Sequence, residues 1–335
     1  MAFCMKPFSD LAITPGFACT CCSSWLTGAG IAPYDSEADP ADLWNAPEIA
    51  ELRGAILAED PTYCRSCPWF CAGKTPNDPS IKTAVIMDRG PRVLSLDVDP
   101  SCNLWCRQCR PRRIRLDAGE LIERCALADR ILDAFLPGLE VLSCSSVGDG
   151  IASPVGQHIW ERLAGDCPDG LAIRLCTNGI LLPLFCARFQ ELVGRIRFLH
   201  ISIDAATAET YQRLRRGAMW RELLVGLRLA KRLRTIGTLR ELIFNFACQA
   251  ENFREMPAFV GLAREYSATR VVFTPLRHKA HIGDYRARNL AALDHPDRAE
   301  FLRVLADPAL TDPICDLRHL APRSLAAIRR AYHDP

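Results

Sequence analysis

Cys102, Cys106 and Cys109 lie within one short stretch, "DPSCNLWCRQCRPRR", spaced C-x3-C-x2-C. Thiolate sulfur is a ligand for zinc and for iron–sulfur clusters, and both kinds of site usually close with four protein ligands. Three in one loop leave a metal position open to something other than protein. The chain has 17 cysteines, and others are also grouped: Cys4, then Cys19, Cys21 and Cys22, then Cys64, Cys67 and Cys71 in "CRSCPWFC". Cys125, Cys144, Cys167, Cys176, Cys186, Cys248 and Cys315 are scattered, as small buried hydrophobes are.

Composition bounds the chemistry. With 49% hydrophobic and 24% charged residues the chain of 335 is an ordinary globular protein. "MAFCMKPFSD" has no apolar signal core, and no later stretch reaches the ~20 apolar residues of a spanning helix. The chain therefore reads as cytoplasmic with no membrane partner, a setting in which clustered cysteines point to metal or redox chemistry rather than disulfides. A net charge of +2 gives no overall basic field, so dedicated nucleic-acid binding is not indicated. The run Arg107, Arg110, Arg112, Arg113 and Arg115 is either a solvated face or an anion site.

The elements that must position these residues begin near Arg92. Six short β-forming runs, 93–99, 139–145, 171–176, 197–203, 240–249 and 270–275, alternate with amphipathic stretches such as "AGELIERCALADRILDAFL" and "MWRELLVGLRLAKRLR". This is the pattern of parallel β/α units, and right-handed crossovers would curl six of them into an open barrel with functional groups at the strand C-termini. Alternation puts His200, Ser202 and Asp204 on one strand face and Ile201 and Ile203 on the other. The expected division is a cysteine-rich segment 1–87, a barrel 88–289 and a helical extension 290–335. The first segment reads as loop-rich with one helix from Pro40 to Glu59, and bound metal would staple it.

"LDVDPSCNLWCRQCR" resembles the opening strand and cluster loop of the radical SAM superfamily. The resemblance implies an α/β partial (β/α)6 barrel. It also implies a 4Fe-4S cluster on Cys102, Cys106 and Cys109, whose open iron takes S-adenosylmethionine (SAM) and whose electron cleaves it to a 5'-deoxyadenosyl radical. Gln108 departs from the pattern, since many members carry an aromatic there. "SSVGDGIASP" resembles the Gly-rich turn that holds the methionine amino group, implicating Gly148 and Asp149, against the plainer reading of a strand-to-helix turn. Asn178 in "LCTNGILLP" is a polar group at the barrel mouth. "LHISIDAATAETYQRLRRG" resembles the fourth-strand segment, which implies Ser202 and Asp204 on the ribose and Arg215 on the SAM carboxylate.

"FNFACQAENFREMPAFVGLAREY" is similar to the fifth-strand region of members with a SPASM domain. The SPASM or Twitch motif is matched by Cys4-x11-Gly16-x4-Cys21 followed by Cys64-x2-Cys67, implying an auxiliary 4Fe-4S cluster on those four cysteines. Cys22 could replace Cys21, and Cys19 and Cys71 are alternative ligands. The domain usually follows the barrel, and here it precedes it. The implied function is an oxidoreductase or epimerase of a small molecule or sugar, with an electron donor such as flavodoxin or ferredoxin. A maturase acting on a peptide substrate, and a non-enzymatic iron–sulfur or zinc scaffold, are the alternatives. An epimerase needs a hydrogen donor; Cys176 shares a strand face with Arg174 and Asn178, and Cys248 stands second because its parity points outward.

Overall fold

The computed structural model describes residues 4–21, 30–34, 39–65, 67–71, 77–144, 147–277 and 284–321. The chain packs as two compact units, Met1–Ser101 with Arg115–Arg174, and Cys102–Ile114 with Leu175–Pro335.

The first unit contains β1 (Asp10–Thr14), β2 (Phe17–Cys19), β3 (Ile31–Pro33), α1 (Pro40–Trp44), α2 (Pro47–Leu57), α3 (Pro68–Cys71), β4 (Val93–Leu96), α4 (Ala118–Phe135), β5 (Val141–Cys144) and α5 (Pro154–Gly165). Its strand order is β5-β4-β1-β2-β3. β4 runs parallel to β5, with Leu94 opposite Leu142, and both side chains are fully buried. Helix α4 starts at a capping box in which Asp117 and Glu120 each accept from the other's backbone N–H, satisfying two otherwise orphaned donors.

Two expectations for this region are corrected. The amino-terminal segment is not mainly loop: β1 lies parallel to β4, and β2 and β3 add antiparallel hairpin partners. These strands are three to five residues long, too short for a period-2 pattern to stand out, although Leu11 and Ile13 do alternate into the core. The single helix expected from Pro40 is two helices. Pro47 disfavours helical backbone in the residue before it, and the chain breaks at Asn45 and Ala46.

β6 (Ala172–Thr177) begins in the first unit and ends in the second. The second unit continues with α6 (Leu182–Arg188), α7 (Gln190–Val193), β7 (Ile196–Ser202), α8 (Ala208–Leu214), α9 (Trp220–Thr235), β8 (Glu241–Cys248), α10 (Met256–Glu265), β9 (Arg270–Pro275), α11 (Tyr285–Arg288), α12 (Arg298–Leu305) and β10 (Cys315–Asp316). β7, β8, β9 and β10 are successively parallel. The two-residue β10, in a region expected to be helical, is an addition that periodicity could not have shown. Phe246 packs on Phe259 of α10 at 4.9 Å and on Phe273 of β9 at 5.5 Å, which seats α10 on the sheet. The fold class is mixed α/β, as the strand–helix alternation implied. Among the described residues no helix is long and apolar enough to cross a membrane.

Candidate metal centre

Each sulfur of the three-cysteine loop faces a nitrogen donor. The backbone N–H of Leu104 donates to Cys102 Sγ at 3.4 Å. Arg110 directs Nε and Nη2 at Cys109 Sγ, both at 3.4 Å, and Arg215 Nη1 lies 4.0 Å from Cys106 Sγ. Backbone bonds from Cys109 N and Arg110 N to Cys106 O fold the loop into the turn that sets these directions. Burial pushes the Cys106 thiol up and the Arg215 charge draws it down. The two guanidinium groups and the backbone N–H supply hydrogen bonds of the kind a metal-bound thiolate accepts.

Asp204 ties this loop to two strands. Its backbone φ of 64° lies in the left-handed region, which Asp tolerates better than most residues. Its Oδ2 accepts from Arg215 Nη2 at 2.6 Å and Gln108 Nε2 at 2.5 Å, and its Oδ1 accepts from Ala247 N at 2.8 Å. Asn252 Nδ2 donates to its carbonyl at 2.9 Å. Gln108, where an aromatic was the pattern, is thus the loop's polar link to Asp204. Asp204 and Arg215, expected on different parts of SAM, are bonded to one another, and the buried carboxylate holds the guanidinium firmly protonated. Gln108 Oε1 and Arg215 Nε are buried and have no hydrogen-bond partner among the described residues.

Asn178 is buried and also serves the loop: its Nδ2 donates to Asn103 Oδ1 at 2.7 Å, and its Oδ1 accepts from Ile180 N at 3.1 Å. Asn103 and Asn252 were missed by sequence reasoning, and only their nearness to the cysteines or to β8 could have flagged them; Arg110 was read only as part of a solvated face or anion site. Ser202 is half-buried at the end of β7, opposite Asn245 of β8.

In the first unit, Gly148 leaves no room for a side chain, because a Cβ would come within 2.4 Å of Ser101 O and 2.5 Å of Asp99 O. Asp149 Oδ1 accepts from Ile151 N and Ala152 N, each at 3.1 Å, so this carboxylate caps the turn into α5.

Cys4, Cys21, Cys64 and Cys67 form a second sulfur group: charge on Cys67 bears on Cys4 and Cys64, and charge on Cys4 and Cys64 bears on Cys21. Cys21 and Cys64 pack on the apolar cluster of Phe8, Leu52 and Ile56. Burial raises the thiols of Cys4 and Cys21 and pushes Cys64 up to about 12. Cys19 is buried and donates to Cys21 O at 3.0 Å. Cys22 and the side chain of Cys71 lie outside the described residues. Cys176 is half-buried on the face of β6 that also carries Arg174. Cys248, the second donor candidate, is buried, 3.8 Å from Met256 Sδ of α10.

Among the described residues no three His, Cys, Asp or Glu side chains are gathered as a single metal ion requires. A four-iron cluster presents its ligands on separate corners, so this finding bears on single ions alone. The donor chemistry at Cys102, Cys106 and Cys109 fits such a cluster.

No family model matches the chain. It is 30% identical over 135 residues to the FeMo cofactor biosynthesis protein NifB of Frankia alni, a match covering 37% of this chain and 26% of that protein. The chain thus spans about a quarter of that curated relative's length. Among solved structures it is similar to Streptococcus suis SuiB bound to S-adenosylmethionine (TM-score 0.44, 12% identity, 72% of this chain and 55% of that one). It is also similar to a radical SAM methyltransferase from Sphaerobacter thermophilus (TM-score 0.38, 17% identity, 65% and 63%). Parallel β/α units carrying an open three-cysteine loop define an α/β fold with a candidate metal centre. The partial match to NifB agrees with the radical SAM resemblance of the cysteine loop.

Proposed function

We propose that the protein is a radical SAM enzyme that cleaves SAM reductively and abstracts hydrogen from a substrate carbon. The observation that carries this reading is the loop of Cys102, Cys106 and Cys109 with a nitrogen donor at every sulfur. The cluster, when bound, supplies the electron that breaks the sulfur–C5' bond of SAM. Gly148 and Asp149, Asn178, Ser202, Asp204 and Arg215 are assigned to the SAM site. Asp204 and Arg215 act there chiefly by holding the loop, and Arg215 Nε and Gln108 Oε1 supply a spare donor and acceptor.

Cys4, Cys21, Cys64 and Cys67 are assigned to an auxiliary cluster in segment 1–87, ahead of the barrel segment 88–289 and the extension 290–335. The reaction class is oxidation or epimerisation of a small molecule or sugar. The half-buried Cys176 is the hydrogen donor in the epimerisation form of this reading.

The test is anaerobic reconstitution, then SAM and dithionite, with 5'-deoxyadenosine measured by chromatography. Absence of that product from protein with full iron content would sink the reading. With substrate in heavy water, one solvent deuterium in the product, lost in Cys176→Ala, marks epimerisation. A product two hydrogens poorer without deuterium marks oxidation and retires Cys176.

A further inference from the structure

We propose that Arg113 and Arg216 at Trp105, with the neighbouring Arg112, form the docking surface for a small acidic electron-carrier protein that reduces the cluster on Cys102, Cys106 and Cys109. This deepens the reading above and rests on it. The loop sorts its arginines by direction. Arg110 and Arg215 are buried and turned onto cysteine sulfurs. Arg107 is neutralised by Asp284 at 2.6 Å and Glu251 at 3.4 Å. Arg112, Arg113 and Arg216 are exposed, and none of them forms an ion pair among the described residues.

Arg113 and Arg216 meet at Trp105, and Arg112 adjoins Arg113 in the chain. Trp105 N donates to Arg216 O at 3.2 Å, and the Arg113 guanidinium sits 4.6 Å from the centre of the Trp105 ring. Gly217 has a φ of 87°, and a Cβ there would come within 2.4 Å of the Trp105 ring, so the glycine lets the indole lie against the backbone. An aromatic plate with arginines around it is the composition of a binding hot spot.

Charge complementarity chooses the occupant. The whole chain carries only +2, so three unpaired cations beside the cluster loop are a local feature. Each is one to three residues along the chain from a side chain directed at a cysteine sulfur, so a carrier bound here lies on the cysteine loop. An acidic carrier would be steered here, and a small salt-sensitive interface suits a partner that must leave after each turnover. Nucleic acid is disfavoured because its affinity rests on many phosphate contacts. In the docked complex one electron passes from the reduced carrier, which is oxidised by one electron, to the cluster. No bond of the protein forms or breaks.

The experiment uses the anaerobic holoprotein and flavodoxin in its hydroquinone form, following cluster bleaching by stopped flow. R112E/R113E/R216E is expected to slow flavodoxin-driven reduction roughly tenfold or more at low salt, with the neutral R112Q/R113Q/R216Q between it and the parent. The parent rate falls as salt rises and the charge-reversed rate does not. Photoreduced deazaflavin, a small reductant that needs no docking, reduces parent and variants alike, which shows that fold and cluster are intact. Arg232→Glu on the exposed side of α9 changes neither rate. Equal flavodoxin rates in parent and charge-reversed protein overturn the proposal. So does tight binding of a single-stranded RNA that the reversal abolishes while carrier rates stay equal. Parent protein that bleaches with flavodoxin but makes no 5'-deoxyadenosine refutes the enzymatic reading and leaves the docking surface standing.

Discussion

The two sulfur groups differ in what their sulfurs face. Cys102, Cys106 and Cys109 face a backbone amide and two guanidinium groups. Cys4, Cys21 and Cys64 carry thiols pushed up by burial, and two of the group pack against Phe8, Leu52 and Ile56. Arg215 opposes the burial that raises the Cys106 thiol, and on the reading proposed above three ligands leave a corner free for chemistry. An apolar setting keeps thiols protonated until metal displaces the proton, and four ligands close the site. On the reading proposed above, the difference separates a working centre from a closed site that helps hold the amino-terminal segment together.

The largest effect should come from deleting each group in turn. Reconstituted protein is expected to bind about eight irons, as two four-iron clusters do. Changing Cys102, Cys106 and Cys109 to Ala together should halve the iron and abolish 5'-deoxyadenosine. Changing Cys4, Cys21, Cys64 and Cys67 should also halve the iron yet leave SAM cleavage by dithionite in place. If the second variant loses cleavage while keeping its remaining cluster, the division of labour is wrong.

Metal removal sharpens the same contrast. In apoprotein, limited proteolysis should cut first within residues 1–90, where the apolar sulfur group has lost its staple. Cleavage should come later in 175–275, where β7, β8 and β9 are held by their own core. Simultaneous loss of both regions would show that the second unit also depends on metal.

A third test concerns Asp204. Removing its carboxylate strands the buried Arg215, which should cost about 3–5 kcal/mol. Urea denaturation of Asp204→Ala measures this, and Asp204→Ala with Arg215→Met should recover part of the loss by removing both charges. Additive losses in that cycle would mean that the 2.6 Å pair is not the coupling.

The sequence made the barrel strands legible because each is an apolar or alternating run bounded by turns; β6, β7, β8 and β9 fall where periodicity puts them. The three cysteines of the loop were legible from spacing. What stayed hidden is pairing over distance. Gln108 and Asp204 meet across 96 residues, Asn103 and Asn178 across 75, and no local pattern encodes either. β1 to β3 were hidden for a different reason: strands so short are set by their neighbours, and β1 is held by its register on β4. The capping turn at Asp149 was foreseen only as the plainer alternative to SAM binding.

Gln108 gives the finest test, because it separates loop positioning from cluster ligation. Its amide donates to a buried carboxylate, a bond worth about 1.5–3 kcal/mol. Gln108→Leu keeps much of the volume but leaves Asp204 with one donor fewer. The variant should retain its iron, since all three cysteines and their donors remain, while SAM binds roughly tenfold or more weakly if the loop shifts by an amount that costs the full bond. Gln108→Glu should do worse than Leu at neutral pH, because it sets a second carboxylate against Asp204, and should improve as acid protonates the new group. Electron paramagnetic resonance of the reduced cluster with and without SAM is the readout. A spectrum and a SAM dissociation constant unchanged in Gln108→Leu would show that the link to Asp204 does not position the loop, and the difference between the two sulfur sites would then rest on Arg110 and Arg215 alone.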